Sequence, residues 1–405
     1  MELRVLNNIP LHPADVIGEV SPNEFRGIKA TFVNMPLRES AKPNVTPEGP
    51  LILAAILRQY GADVSLVDLN VYRVNDEETQ RAELTNGRQL TFAEAEALLE
   101  RHFAKHGEQD IVAFSGLITT LRWQEEMARA VRRMQPNCFL VTGNGLATEL
   151  KEGLFGWMPE LDAVAHSEGD DVIVVIARDV KIMKDLGKAQ AIRSGRVSPY
   201  YLGEIAGRSR FLYAGNRPKN LDTIPYGALD LLEEDVYGQN LLEQYIVVPI
   251  WGLAANNSSA TPFQMTRSLN TVSSRGCPHA CAFCYRGQQG ERNYGIRSVE
   301  HIARQIRWFI DRYGVDFVGF VDDNFAISVP RCKKFPEVFR EFDLNIRWGT
   351  HTRLDEADER IVPMNESGCV YIGFGAESAS ERVLKRMKKG GHILKNGLTE
   401  IGVPG

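Results

Sequence analysis

Along residues 29–180, short and nearly unbroken apolar runs alternate with segments whose apolar positions recur at a helical period. KATFVNMP (29–36), DVSLVDLN (63–70), DIVAFSG (110–116), CFLVTGNG (138–145) and the start of DAVAHSEGDD (162–171) predict five strands. Pro50–Tyr60, Phe92–His106, Thr120–Met134 and the run from about Val172 predict helices, and a charged insert, Asn75–Arg88, follows the second strand. Strands that are apolar on both faces belong to a parallel sheet covered by helices on both sides. Ligands of such sheets bind at the carboxyl ends of the strands. The loops to watch are therefore Ser115–Thr120, Gly143–Ala147 and His166–Asp170.

The periodicity fades over 181–265, where Pro199, Pro218, Pro225, Pro249 and Pro262 predict an irregular connector. It then resumes. SLNTVSS (268–274), VDFVGFVDD (315–323), NIRWGTHT (345–352) and CVYIGFGAES (369–378) read as strands. Helices follow them at Ser298 onward, Pro330–Phe342, Ala357–Ser367 and Ser380–Lys389. Four strand–helix units in a row predict a partial (β/α) barrel. The expected organisation is thus α/β throughout: a doubly wound, Rossmann-like parallel-sheet domain over 1–180, a connector over 181–265, and a partial barrel over 266–405. With only four units before the final GVPG, the barrel reads as cropped, and the isolated chain is expected to be inactive or weakly active.

Composition narrows the class of protein. Hydrophobic residues make up 43% and charged residues 24%, an ordinary globular balance. The formal charge is 47 − 52 = −5, and no dense basic stripe appears, so nucleic acid is not an expected partner. No apolar run approaches a membrane span, and the MELRVLNNIP start lacks the form of a secretory signal, so a cytoplasmic location is expected. Of six cysteines, Cys138, Cys332 and Cys369 are scattered and read as small buried hydrophobes. The other three, Cys277, Cys281 and Cys284, fall within eight residues, GCPHACAFC. Clustered thiols in a reducing compartment point to metal or redox chemistry rather than disulfides.

The spacing C-x3-C-x2-C, directly after a strand, lets three thiolates converge from one short loop. Three protein ligands leave a position open for substrate. The same spacing also suits a structural zinc completed by His279 or His351, and both readings stand on spacing alone.

Beyond spacing, the pattern C-x3-C-x-aromatic-C after the first barrel strand resembles the radical S-adenosylmethionine (SAM) enzymes. FVDDNF (320–325), THTRLD (350–355) and IGFGAES (372–378) resemble one branch of that family, whose N-terminal domain binds cobalamin. VNMPL, the stretch TPEGPLILAAILRQYGADVSLVDLN, IVAFSGL, VTGNG and HSEGDD look like that cobalamin module, and LDTIPYGALDLL (221–232) like the entry into the barrel. The resemblance implies that Cys277, Cys281 and Cys284 hold a [4Fe–4S] cluster whose fourth iron takes SAM. It places Phe283 near the adenine, Asp322 and Asp323 near the SAM amino group, and Glu377 and Ser378 near its ribose or methionine end. Arg353 is implied as a partner of the SAM carboxylate, with an ion pair to Asp355 or Glu377 as the alternative. For Asp322 and Asp323, helix capping is the alternative. Ser115, Gly116, Leu117, Thr119, Thr120, Gly143, Asn144 and Gly145 are implied to line a cobalamin pocket. The loop PLRESAKP has no histidine of the cobalt-ligating kind, and His166, on a different loop, is not expected to be one.

The implied function is a cobalamin-dependent radical SAM methyltransferase acting on an unactivated carbon, through a 5′-deoxyadenosyl radical and methylcobalamin. A cyclase, rearrangement catalyst or oxidative enzyme with the same cofactors is one alternative; a zinc-stabilised non-enzymatic module or inactive fragment is another. A small molecule or peptide is the expected substrate, and a flavodoxin- or ferredoxin-type protein the expected electron donor.

Overall fold

The computed structural model describes residues 18–37, 45–246, 265–284 and 294–389. They form two compact units. The first includes Pro47–Pro218 and Ile224–Glu243 together with the first strand; the second includes Lys219–Thr223 and the residues from Gln244 onward.

The first unit is a seven-stranded sheet in the order β2-β1-β3-β4-β5-β7-β6. Its strands are β1 Lys29–Asn34, β2 Asp63–Asp68, β3 Ile111–Ser115, β4 Phe139–Gly143, β5 Ala163–His166, β6 Tyr201–Ile205 and β7 Arg208–Ala214. All neighbours pair in parallel except β6, which runs antiparallel to β7. The strand order reverses between β1 and β3, a topological switch point that opens a crevice at the carboxyl ends. Helices are set by local signals. Phe92–His106 starts in a capping box, with Thr91 accepting from the Glu94 backbone and Glu94 reaching back. It buries Leu99 and Phe103 against Val33, Phe114 and Leu140 in the core.

The segment read as a connector differs from its expectation. One helix runs on through Asp170–Leu186, another spans Lys188–Arg193, and β6 and β7 complete the first sheet. The physical reason is a two-residue hairpin turn, Ala206-Gly207, whose φ values of 53° and 72° match the turn that twists with its strands. Phe211 and Tyr213 then lie fully buried, Phe211 edge-on to Phe139 at 5.5 Å. Pro199 and Pro218 flank this hairpin instead of interrupting it. The remainder of that segment, 247–264, lies outside the described residues, as does the chain from 390 onward, where the cropping of the barrel was read.

The second unit carries a four-stranded parallel sheet in the order β13-β12-β11-β8. The strands are β8 Ser268–Thr271, β11 Phe317–Phe320, β12 Arg347–Arg353 and β13 Cys369–Gly375. A small antiparallel ribbon pairs β9 Ser274–Arg275 with β10 Gly295–Ile296, so the first strand ends at Thr271 rather than running to 274. The helix Val299–Tyr313 is capped by Ser298, whose own N–H donates to Asp222 at 2.8 Å, which ties Leu221–Thr223 to this unit. Phe320, Phe325, Phe335 and Trp348 form an aromatic core, with Phe320 and Phe325 5.1 Å apart and Phe325 and Trp348 5.2 Å apart. Among the described residues, no helix is long and apolar enough to cross a membrane.

Candidate functional site

The cysteine loop leaves the β9 strand at Gly276, whose φ of 75° lies in the left-handed region that glycine adopts without strain. Cys281 is buried, Cys277 half-buried and Cys284 exposed. The loop is braced by the segment 387–389. The Ala282 N–H donates to the Met387 carbonyl at 2.8 Å, and Lys389 lies 5.7 Å from the exposed Phe283 ring. Lys389 also pairs with Glu377 at 2.7 Å.

Donors are directed at the sulfurs of Cys281 and Cys277. Arg353 Nη1 approaches Cys281 Sγ at 3.5 Å, while its Nε and Nη2 form a fork onto Asp355 at 2.8 and 2.6 Å. Burial pushes the Cys277 thiol above its ordinary range, opposed by hydrogen bonds from the His279 backbone and the Asn324 side chain. Asn324 in turn donates to Glu356 at 2.9 Å and accepts from Thr352 at 2.7 Å. Burial pushes the Glu356 carboxyl up, yet bonds from His279, Thr352 and Asn324 outweigh it and leave the group below its usual value. His279 faces Glu356 at 3.8 Å, and the exposed His351 meets Tyr371 edge-on at 6.1 Å.

Donors aimed at sulfur stabilise thiolates, the form in which cysteine binds metal. The donor chemistry therefore fits a metal-bound loop. Among the described residues, no three His, Cys, Asp or Glu side chains gather around one point for a single ion. A cluster differs from a single ion in this respect, because each thiolate meets a different iron.

The remaining residues singled out from sequence divide into two groups. Phe283, Asp323 and Glu377 are exposed and Ser378 is half-buried. Glu377 holds a left-handed φ of 65°, a strained conformation for a residue with a side chain. Asp322, in contrast, is buried. Its carboxylate accepts from the Ser273 N–H at 2.6 Å, the Ser273 hydroxyl at 2.5 Å and the Ser274 hydroxyl at 2.8 Å. It faces the strand before the cysteine loop, and Arg331 backs Ser273 from the other side. Neither aspartate caps a helix, because Ser328 caps Val329–Glu341. Sequence reasoning quoted the FVDDNF and THTRLD segments without singling out Asn324, or Glu356 just after them. A polar residue fixed two positions past a motif aspartate was the available signal.

In the first unit the carboxyl ends of β3, β4 and β5 come together. Asn144 donates to Ser115 at 3.1 Å and accepts from the Gly145 N–H at 2.6 Å. Its backbone (φ 74°, ψ −163°) sits in a region that only glycine normally visits. Ser167, at φ 69°, donates through its backbone to Thr148 at 3.0 Å. Gly116 packs over Thr120 and Gln124, and Gln124 accepts from Thr142 at 2.5 Å, a buried polar chain under the loop. Above it Leu117 and Thr119 are exposed, and Ile118 is 65% exposed. A side chain on Gly143 would meet only ordinary contacts, the nearest Ala165 O at 3.6 Å. Its bareness thus has no internal packing cause. His166 bonds Ser167 at 2.9 Å, and burial lowers its imidazole to about 4.

Comparison with known proteins bears on the cysteine loop directly: residues 271–396 match the model of the Radical SAM superfamily. The matched segment holds all three loop cysteines, Cys277, Cys281 and Cys284. An uncharacterized methyltransferase of Pyrococcus horikoshii is 25% identical over 305 residues, covering 74% of this chain and 58% of that protein. The cobalamin-dependent radical SAM methyltransferase TokK of Streptomyces tokunonensis is 24% identical over 225 residues, covering 55% of this chain and 28% of TokK. The fold is similar to that of the radical SAM methyltransferase TsrM from Kitasatospora setae, at a TM-score of 0.57 and 15% identity. That match covers 89% of this chain and 61% of TsrM. The chain thus spans about three fifths of the length of the Pyrococcus and Kitasatospora proteins.

Proposed function

We propose that this chain is a cobalamin-dependent radical SAM enzyme that transfers a methyl group to an unactivated carbon of a small molecule or peptide. The observation that carries the reading is the pair of donors, Arg353 Nη1 at 3.5 Å from Cys281 Sγ and Asn324 beside Cys277, on a loop of three cysteines. When bound, the cluster and SAM supply a carbon-centred radical and cobalamin supplies the methyl group.

The protein's part is binding and orientation. Cys277, Cys281 and Cys284 hold the cluster, and the Met387 and Lys389 contacts keep the loop between them in place. Phe283, Asp323, Glu377 and Ser378, at the accessible edge of the site, are the residues proposed to meet SAM. Asp322 and Arg353 are proposed to act behind them, since the first is bonded to Ser273 and Ser274 and the fork of the second is taken by Asp355. For cobalamin we propose Ser115, Gly116, Leu117, Thr119, Thr120, Gly143, Asn144 and Gly145, with the exposed Leu117 meeting the apolar ring and Gly143 admitting the ligand close to backbone. The electron reaches the site from a flavodoxin- or ferredoxin-type donor.

The test is elemental analysis of chain purified anaerobically from cobalamin-supplied cells. The expected result is about four irons and about one cobalt per chain. Iron without cobalt replaces methyl transfer with rearrangement or oxidation. About one zinc per chain with little iron overturns the reading altogether.

A further inference from the structure

Arg353 stands at the end of β12 with its guanidinium 9% exposed, beside an Asp355 carboxylate 8% exposed. The fork onto Asp355 uses Nε and Nη2, and a planar guanidinium so held has no freedom to turn its last nitrogen elsewhere. That nitrogen, Nη1, points at the sulfur of Cys281, the most buried of the three loop cysteines. Glu377, the other acidic candidate partner, is paired with Lys389. The arrangement is a permanently charged donor clamped against one cysteine sulfur, with a carboxylate behind it.

We propose that Arg353, oriented by Asp355, is a positioning residue that sets the reduction potential of the cluster through the Cys281 sulfur. The inference rests on the cluster reading given above. Reduction by one electron, from a low-potential donor such as dithionite, adds one negative charge to the cluster; no bond forms or breaks and no proton is required. A cation and an N–H donor at a ligating sulfur favour the more negative, reduced state, and burial strengthens the effect because few waters screen it. Arg353 therefore raises the potential, and Asp355 moderates the rise while holding the donor in line.

The experiment is a redox titration of the full chain, reconstituted anaerobically without SAM or substrate and followed by electron paramagnetic resonance. In Arg353→Met the midpoint is expected to fall by about 59 mV, a tenfold change in a one-electron equilibrium. In Asp355→Asn it is expected to rise, because a nearby negative charge is gone and the arginine remains. An Arg353→Met chain with wild-type iron content and an unmoved midpoint overturns the proposal. It would leave the arginine to SAM binding, which a SAM-free titration does not sense. Should Arg353→Met fail to retain iron, Asp355→Asn decides: a rise upholds the proposal, and an unchanged or lower midpoint overturns it. A wild-type chain that holds no iron removes the cluster reading itself, an outcome distinct from an iron-loaded chain with an unmoved midpoint.

Discussion

A methyl group on Gly116 would stand 2.3 Å from both Thr120 Oγ1 and Gln124 Nε2. Both partners are buried and bonded to one another, and Gln124 also takes the Thr142 hydroxyl. The clash can be relieved only by breaking that chain and leaving a buried amide unsatisfied, at a cost of about 2–3 kcal/mol. Gly116→Ala is therefore expected to lower stability by about that much in urea denaturation. Gly143→Ala meets no contact closer than 3.6 Å and is expected to change stability by less than about 1 kcal/mol. Its expected effect is on cobalamin uptake, read by visible absorption after reconstitution; unaltered uptake would remove Gly143 from the pocket. At this scale the sequence named the cysteines and the glycines, whose chemistry or lack of a side chain is visible in the letters alone. It passed over Asn324, Glu356 and Ser273, ordinary polar residues whose importance lies in what they touch. It also grouped Asp322 with Asp323, although one carboxylate is buried against two serines and its neighbour is exposed.

Helix Phe92–His106 packs on β1 and β2 through a polar contact inside an otherwise apolar face. His102 Nε2 lies 3.0 Å from the Ser65 hydroxyl and 3.4 Å from that of Thr31. Burial, with His106 and Lys105 nearby, lowers the His102 imidazole to about 3 from its ordinary 6.5. In this case the unfolded chain binds the proton more tightly than the folded one. Stability is thus fully present above about pH 6.5 and is lost as pH falls toward 3, by at most about 1.4 kcal/mol per unit. His166, lowered to about 4, acts in the same direction. Urea unfolding at pH 7, 6 and 5 is expected to show falling stability, and His102→Gln is expected to flatten part of the slope. An unchanged slope in that variant would mean that the carboxylates carry the pH dependence. Elements with a strong period, such as this helix and the core strands, were legible in the sequence. The β6–β7 hairpin was not, because its short half-exposed strand and Gly-containing turn resemble a loop until β5 is there to pair with.

For the molecule as a whole, the two cofactor sites proposed here belong to different compact units of the chain. Loading of one is accordingly expected to survive loss of the other. The triple variant Cys277→Ala, Cys281→Ala, Cys284→Ala should bind no iron and still take up cobalamin, as followed by metal analysis and visible absorption. Loss of both together would show that the residues assigned to the first unit do not hold cobalamin by themselves. Repeating strand–helix units, the three-thiol loop and its match to a family model over 271–396 were determined by the sequence alone. Each is written in near neighbours, within the span of one loop or one helical turn. What only the tertiary structure decided is how distant residues share work. It fixed the 72-residue separation across which Arg353 reaches Cys281, the serines that claim Asp322, and the membership of β6 and β7 in the first sheet. Such contacts depend on which strand lies beside which, and no local pattern encodes a neighbour that the fold brings from far along the chain.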